Sequence, residues 1–418
     1  MKILHLSESD IAGAGRAAYR LHKGLEGIGI TSQMLLQARS SSDEPTIISP
    51  KTSTGKGLGK LRPIVDNLPL HLYSNRVHSP FSVQWLPDRL TDQVAQLEPD
   101  VIVLHWICHG YVPIETVARL NKLNKPLVWT LHDMWPFTGG CHYTQDCDRY
   151  QTACGACPQL GSHQNWDLSR WIWQRKAKAW KNLNLTLVAS STWLAECASS
   201  SSLFKDVRVE VIPIGLNPDH YKPTDRQVAR KILNFTQDKQ LILFGSMYKT
   251  SDKRKGFHLL QLALQKLANS GWREKIELVV FGSSQPENQV YLGFKSHYLG
   301  RLHDDVTLAL VYSAADVMIV PSTQEAFGQT ASESLACGTP VVAFNTTGLK
   351  DIVDHQQNGY LASAFEVEDL VQGITWVLEN KERHQKLAEC ARQKAEEEFS
   401  LERQALCYQS LFTELINC

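Results

Sequence analysis

Residues 317–349 read VMIVPSTQEAFGQTASESLACGTPVVAFNTTGL. An apolar, β-branched run, Val317–Val320, is closed by Pro321-Ser322. A polar loop follows, then a helical pattern from about Gly328 to Ala336, then Gly338-Thr339-Pro340 and a second β-branched run, Val341–Phe344. Strand, loop, helix and strand in that order make the unit of a parallel sheet. Ligands of such sheets bind where strands end and helices begin. Two carboxylates stand there with seven residues between them, Glu325 in the loop and Glu333 in the helix. A carboxylate accepts strongly and donates nothing, which suits the vicinal hydroxyls of a ribose or hexose. Backbone N–H groups at Phe327, Gly328 and Gln329 would welcome an anion or sugar hydroxyls at the helix start. The same spacing also fits a helix-terminal charge followed by a solvated helix residue, and spacing alone does not choose.

The chain has 418 residues, too many for one ordinary core, so two domains are expected. Lys and Arg total 43 and Asp and Glu total 43, which argues against a globally basic nucleic-acid binder. No apolar run reaches the roughly 18 residues of a membrane span; Val101–Ile114 is broken by His105, His109 and Gly110. The opening MKILHLSESD turns polar after six residues, as a strand does and a signal peptide does not. These features predict a cytoplasmic protein whose ten cysteines are mostly reduced, so that clustered ones point to metal or core roles.

The run Glu325-Ala326-Phe327-Gly328, then Glu333-Ser334-Leu335-Ala336-Cys337-Gly338-Thr339-Pro340-Val341-Val342-Ala343, resembles the Glu-x7-Glu signature of retaining, nucleotide-sugar-dependent glycosyltransferases of family 4. The resemblance implies an α/β protein of the GT-B fold, two Rossmann-like parallel-sheet domains facing across a cleft. Residues 1–218 would form an acceptor domain and 219–399 a nucleotide-sugar domain, with a helix over 400–418 returning to the first. Glu325 would contact the donor hexose and Glu333 the ribose.

Along the first half, Lys2–Ser7 reads as a strand and Arg16–Gly27 as a helix. Gly13 and Gly15 between them let backbone approach a phosphate or sugar, or simply make a tight turn; the family has a glycine loop at this place. Residues 39–65 are polar and rich in Gly, Ser and Lys, and read as a loop carrying Lys51, Lys56, Lys60 and Arg62. With the mixed apolar and basic residues that follow, this region can rest on an anionic membrane surface, or be a solvated loop and an ordinary surface helix.

Strands at Val101–Leu104 and Leu127–Leu131 follow, the second running into His132-Asp133. A His at a strand end suits an active site of a parallel sheet. The family has a His here against the donor hexose or its acceptor, and a buried structural His is the alternative. His105-Trp106 is a candidate of the same kind.

Cys141, Cys147, Cys154 and Cys157 can close a tetrahedral structural zinc site, with His142 available as a substitute ligand; free thiols or a redox-labile pair fit as well. Trp171–Lys181 reads as an amphipathic helix with a basic face, and strands at Leu185–Ala189 and Val207–Ile212 lead to a domain boundary near 215–222.

In the second half a strand over Gln240–Gly245 precedes Lys255-Gly256, which matches a family motif whose Lys neutralises the donor pyrophosphate. A lysine in a solvated loop is the plain alternative. The family's Arg after the glycine is replaced by Ser246, and Lys249, Lys253 or Arg254 would have to substitute. Gly282 and the Gly300-Arg301 segment frame the nucleotide base in the family, although ordinary strand–helix turns produce the same glycines.

By resemblance the reaction is transfer of a hexose from a UDP- or GDP-sugar to a saccharide or lipid-linked saccharide acceptor, without a catalytic cofactor. The segment His132–Gly140 and the cysteines after it look most like bacterial enzymes of exopolysaccharide or lipid-linked oligosaccharide synthesis. A nucleotide-sugar epimerase of this fold, or a catalytically weak nucleotide-sugar-binding or scaffold protein, is the alternative, and Ser246 speaks for the latter.

Overall fold

The computed structural model describes residues 1–417 apart from 39–42, 51–52, 89, 246–251, 283–291 and 303, and for 53–56 and 58 the backbone alone. The chain divides into two compact units, Met1–Gly215 with Leu401–Cys418, and Leu216–Ser400.

The first unit holds strands β1 (Lys2–Ser7), β2 (Thr31–Leu36), β3 (Ile47–Ile48), β4 (Val101–Leu104), β5 (Leu127–Leu131), β6 (Leu185–Ala189) and β7 (Arg208–Val211). They form one parallel sheet in the order β3-β2-β1-β4-β5-β6-β7. β4 is a continuous apolar run, and β5 and β6 are interrupted only by Thr130 and Thr186; every residue of the three is buried, as in a sheet covered on both faces. A helix over Leu401–Asn417 lays Ala405, Tyr408, Leu411 and Phe412 into the core beside Ile3, Leu21 and Leu25.

The second unit holds β8 (Gln240–Gly245), β9 (Ile276–Phe281), β10 (Ser296–Tyr298), β11 (Val317–Val320), β12 (Val341–Phe344) and β13 (Gly359–Ala362). Their order is β10-β9-β8-β11-β12-β13, again parallel. The strand order reverses between β1 and β4 in one sheet and between β8 and β11 in the other. Ligands of open parallel sheets bind at such switch points.

Several expectations need correcting. The first helix starts at Ala12, so Gly13 and Gly15 lie in its first turn and not in a loop. The reason at Gly15 is close packing, since a Cβ there would stand 2.7 Å from the Ser9 carbonyl oxygen. Within the expected loop at 39–65, Ser53–Asp66 is a helix despite three glycines and Pro63. Tertiary bonds dock it: Arg62 Nε donates to the Gly110 carbonyl (2.8 Å) and Trp85 Nε1 to the Asp66 carbonyl (3.2 Å). Arg62 is therefore committed inside the unit. The amphipathic helix spans Leu168–Ala179, and one of its basic residues, Lys176, is fully buried and so lies on no solvated basic face. Among the described residues no helix is long and apolar enough to cross a membrane.

Candidate active site

At the switch point of the second sheet, β11 ends and the chain turns through Ser322 to Glu325. The Glu325 carboxylate is pinned from several sides. Lys255 Nζ lies 2.5 Å from Oε1, Ser322 Oγ donates to the same oxygen at 2.9 Å, and Arg254 Nη1 stands 3.6 Å from Oε2. Burial alone would raise its carboxyl, but Lys255 and Arg254 outweigh that and hold it below the ordinary range. Its backbone is fixed too, the N–H donating to Thr347 Oγ1 (3.0 Å) and the carbonyl accepting from the Gly348 N–H (3.0 Å).

The lysine is delivered by a turn that needs a glycine. Gly256 has φ +68°, and a Cβ there would sit 1.7 Å from the Pro321 carbonyl oxygen. The Thr323 N–H donates to the Arg254 carbonyl at 2.7 Å, tying this turn to the loop after β11. Arg254 also bonds the Gln324 carbonyl (2.7 Å) and Asp252 (3.0 Å).

Glu333 lies in the helix Gln329–Ala336 and is buried, not solvated. Tyr312 donates its phenol to Glu333 Oε2 at 3.0 Å, a pairing across 21 residues that no local pattern signals. Phe327 is buried edge-on against Phe399, and Gly328, with φ +112°, is the residue before the helix. Gly282 follows β9, where its N–H donates to the Gly300 carbonyl (2.7 Å), which brings the exposed Arg301 beside that strand end. β9, β8 and β11 are adjacent, so the ends carrying Gly282 and Glu325 flank the end of β8. Ser246 and Lys249 lie outside the described residues.

In the first unit, His132 leaves β5 with Nε2 3.1 Å from His105 Nδ1, and His105 Nε2 is 2.9 Å from His5 Nδ1. Burial pushes His132 down to about 4, opposed by Asp133, and takes His105 and His5 well below the ordinary imidazole value. His5 escaped notice because it sits inside the apolar run of β1. Asp133 accepts from Trp106 Nε1 (2.7 Å) and the Trp135 N–H (2.9 Å) and lies 2.6 Å from His142 Nδ1. His142 Nε2 is 2.9 Å from Ser82 Oγ, so both its nitrogens are engaged and it drops out of the ligand set. Gly13 is exposed at the start of the first helix, and Gly15 is buried one turn in.

Cys141, Cys147, Cys154 and Cys157 line one cavity of about 20 Å³ together with Arg149 and Tyr150. Burial pushes the Cys141 thiol well up and Cys154 up to about 12. It pushes the neighbouring Lys176 down to about 7, with the thiols of Cys108, Cys154 and Cys141 pulling the other way. Among the described residues, the ligating trio whose donor atoms lie within 4.8 Å of one another is His22, Glu26 and Glu44; the cysteine sulfurs are spread wider. In that trio the Lys23 ammonium already lies 2.7 Å from Glu26 and 3.1 Å from Glu44.

Comparison with known proteins gives two matches to family models. The one described as Glycosyltransferase Family 4 covers residues 11–220, and the one described as Glycosyl transferases group 1 covers 225–394. A D-inositol 3-phosphate glycosyltransferase from Xylanimonas cellulosilytica is 34% identical over 201 residues, 44% of this chain and 46% of that one. The putative colanic acid biosynthesis glycosyl transferase WcaC of Escherichia coli is 26% identical over 288 residues, 65% and 66% of the two chains. The chain thus spans less than half the length of the first of these relatives. Among solved structures, a sucrose-phosphate synthase from Thermosynechococcus elongatus superposes with a TM-score of 0.68 at 19% identity, over 100% of this chain and 99% of that one. Anabaena HepE in complex with UDP and glucose gives 0.66 at 19%, over 99% of each. At such identities the likeness is one of fold, the GT-B pair of Rossmann-like parallel-sheet domains.

Proposed function

Because the chain belongs to glycosyltransferase family 4, we propose that it is a retaining enzyme that moves a hexose from a UDP- or GDP-sugar to a saccharide or lipid-linked saccharide acceptor in polysaccharide synthesis. The observation that carries this reading is the Glu325 carboxylate, held ionised beside Lys255 at the end of β11. Breaking an anomeric bond to a nucleoside diphosphate needs positive charge on the leaving pyrophosphate and strong acceptors for the sugar hydroxyls. Lys255, with Arg254 behind it, serves the first need; Glu325 serves the second.

Glu333, oriented by Tyr312, takes the ribose, and Gly282 with Arg301 takes the base. Backbone groups at Phe327, Gly328 and Gln329 meet the donor from the helix start. In the first unit Gly13, Gly15 and His132 serve the sugar and the acceptor. The leaving phosphate takes the acceptor's proton on the same face, so the configuration is retained and no cofactor takes part. The UDP and glucose bound by Anabaena HepE favour a UDP-sugar donor.

Leu61 and Ile64 on the helix Ser53–Asp66, and Leu68 and Leu72 on the short helical turn that follows it, are 55, 62, 51 and 85% exposed, which supports peripheral contact with the inner face of a membrane. A structural Zn²⁺ on Cys141, Cys147, Cys154 and Cys157 completes the reading.

Thermal unfolding with UDP-, GDP- and ADP-sugars tests the donor site. A donor at about 100 times its Kd adds about 2.7 kcal/mol of stability. We expect one nucleotide class to raise Tm and Glu333→Ala to blunt the rise. No shift with any sugar nucleotide would overturn the reading.

A further inference from the structure

Lys176 is 0% exposed, deep in the first unit. Its ammonium donates to the Trp135 carbonyl and, at 3.0 Å, to the Thr138 carbonyl, and it lies 3.5 Å from the centre of the Trp135 ring. Those contacts satisfy its hydrogens but bring no negative charge. Among the described residues no carboxylate forms an ion pair with it. Asp133, the carboxylate that acts on it, already faces His142 and Trp106. Burying an ammonium without a counter-charge is destabilising, so an anion nearby would favour the charged form of Lys176.

Thr138, whose carbonyl accepts from Lys176 at 3.0 Å, lines the four-cysteine cavity together with Cys141 and Cys154. That cavity, about 20 Å³, has room for one small occupant. Beside the cysteines and Phe81, its lining holds hydrogen-bond donors and the cation Arg149. The Gly139 N–H donates to Cys154 Sγ at 3.1 Å, and the N–H groups of Gln159 and Leu160 turn toward the Cys157 sulfur. Arg149 also lines the cavity, its Nη1 donating to the carbonyls of Gly155 (2.6 Å) and Ala156 (2.8 Å), the two residues between Cys154 and Cys157. The carboxylate on this side is Asp167, which accepts the Cys157 N–H and caps the helix Leu168–Ala179. Four neutral thiols have no use for such company.

We propose that Cys141, Cys147, Cys154 and Cys157 form a zinc tetrathiolate, and that buried Lys176 and solvent-side Arg149 are its charge partners. The charge-partner role rests on the zinc assignment and is independent of sugar transfer. Zn²⁺ with four thiolates carries two negative charges, which the two cations match. As the ion enters, four S–H bonds give up their protons to solvent and four Zn–S bonds form, drawing the sulfurs in to about 2.3 Å from the metal. Two disulfides would also consume the four thiols, but they carry no charge and would leave Lys176 unmatched.

The test uses the full chain purified without chelator. Elemental analysis should find one zinc per chain, and Co²⁺ exchange should give the thiolate-to-metal and d–d bands of a tetrahedral four-sulfur site. Removing a second-sphere partner should weaken the metal by about 10–100-fold. Lys176→Met and Arg149→Gln, each titrated with a competing chelator, should fall in that range. Arg149 is exposed, so its variant reports even if Lys176→Met does not fold. Folded protein without stoichiometric zinc, or with four oxidised thiols, overturns the metal site and leaves the donor-binding reading untouched. Zinc held equally tightly by wild type and both variants overturns the charge-partner role alone.

Discussion

At His132 the imidazole leaves β5 into a hydrogen-bonded row with His105 and His5, and burial pushes it down to about 4. The unfolded chain, titrating near 6.5, takes up a proton before the folded one does. The stability tied to a neutral His132 is therefore complete above about pH 6.5 and is lost as pH falls toward 4, by roughly 3 kcal/mol. Melting temperatures of wild type and His132→Asn across that window check this. Wild type should lose stability the more steeply, and equal slopes would refute the assignment. Glu325 runs the other way in sign of charge, its carboxyl held low by Lys255 and Arg254 against burial. Glu325→Gln keeps the shape and removes the charge, so we expect transfer to fall about 100-fold or more in kcat/KM with Tm still responsive to donor. Near-normal turnover would sink the site.

One element up, the turn Asp252–Gly256 presents Lys255 to the end of β11. Its geometry depends on Gly256, which has a left-handed φ and backbone directly against the Pro321 carbonyl. Gly256→Ala should cost about 1–3 kcal/mol through strain and clash and weaken donor-induced stabilisation beyond that loss, because the turn must move. Unchanged melting in this variant would refute the dependence.

The strands around this turn were legible because β11 and β12 are unbroken apolar runs, and β8 and β9 hold the apolar stretches Leu241–Phe244 and Leu278–Phe281, buried throughout. The positions of Glu325 in the loop after β11 and of Lys255 just before a helix follow the same alternation of strand and helix. The helix over Ser53–Asp66 was not, since its glycines and Pro63 speak for a loop and distant carbonyls dock it. Lys176 hid for a related reason: a lysine among Arg175 and Lys178 looks like a solvated face until Trp135 and Thr138 fold over it. Propensity and periodicity report local chemistry, and these residues are set by contacts far away in the chain.

At the scale of the whole molecule, the chain leaves the first unit at Gly215 and re-enters it at Leu401. The two crossings run side by side, the Leu216 N–H donating to the Phe399 carbonyl at 2.8 Å. What returns is a helix whose Ala405, Tyr408, Leu411 and Phe412 are core residues of the first unit, with Tyr408 also hydrogen-bonded to Thr130 at 2.9 Å. Truncating one buried aromatic of this kind costs about 3–5 kcal/mol, and a domain has only about 5–15 kcal/mol in all. A chain ending at Ser400 should therefore lose the cooperative melting of the first unit. The second unit builds its core from Ile242, Phe244, Leu260, Ile319 and Phe344 and uses none of the missing residues. It should keep its own transition and still shift it with the donor nucleotide-sugar. Calorimetry with and without donor separates the two contributions. If the shortened chain kept both transitions, the helix would be an appendage. If it lost both, folding of the second unit would depend on the first, and the donor site could not be studied apart from it.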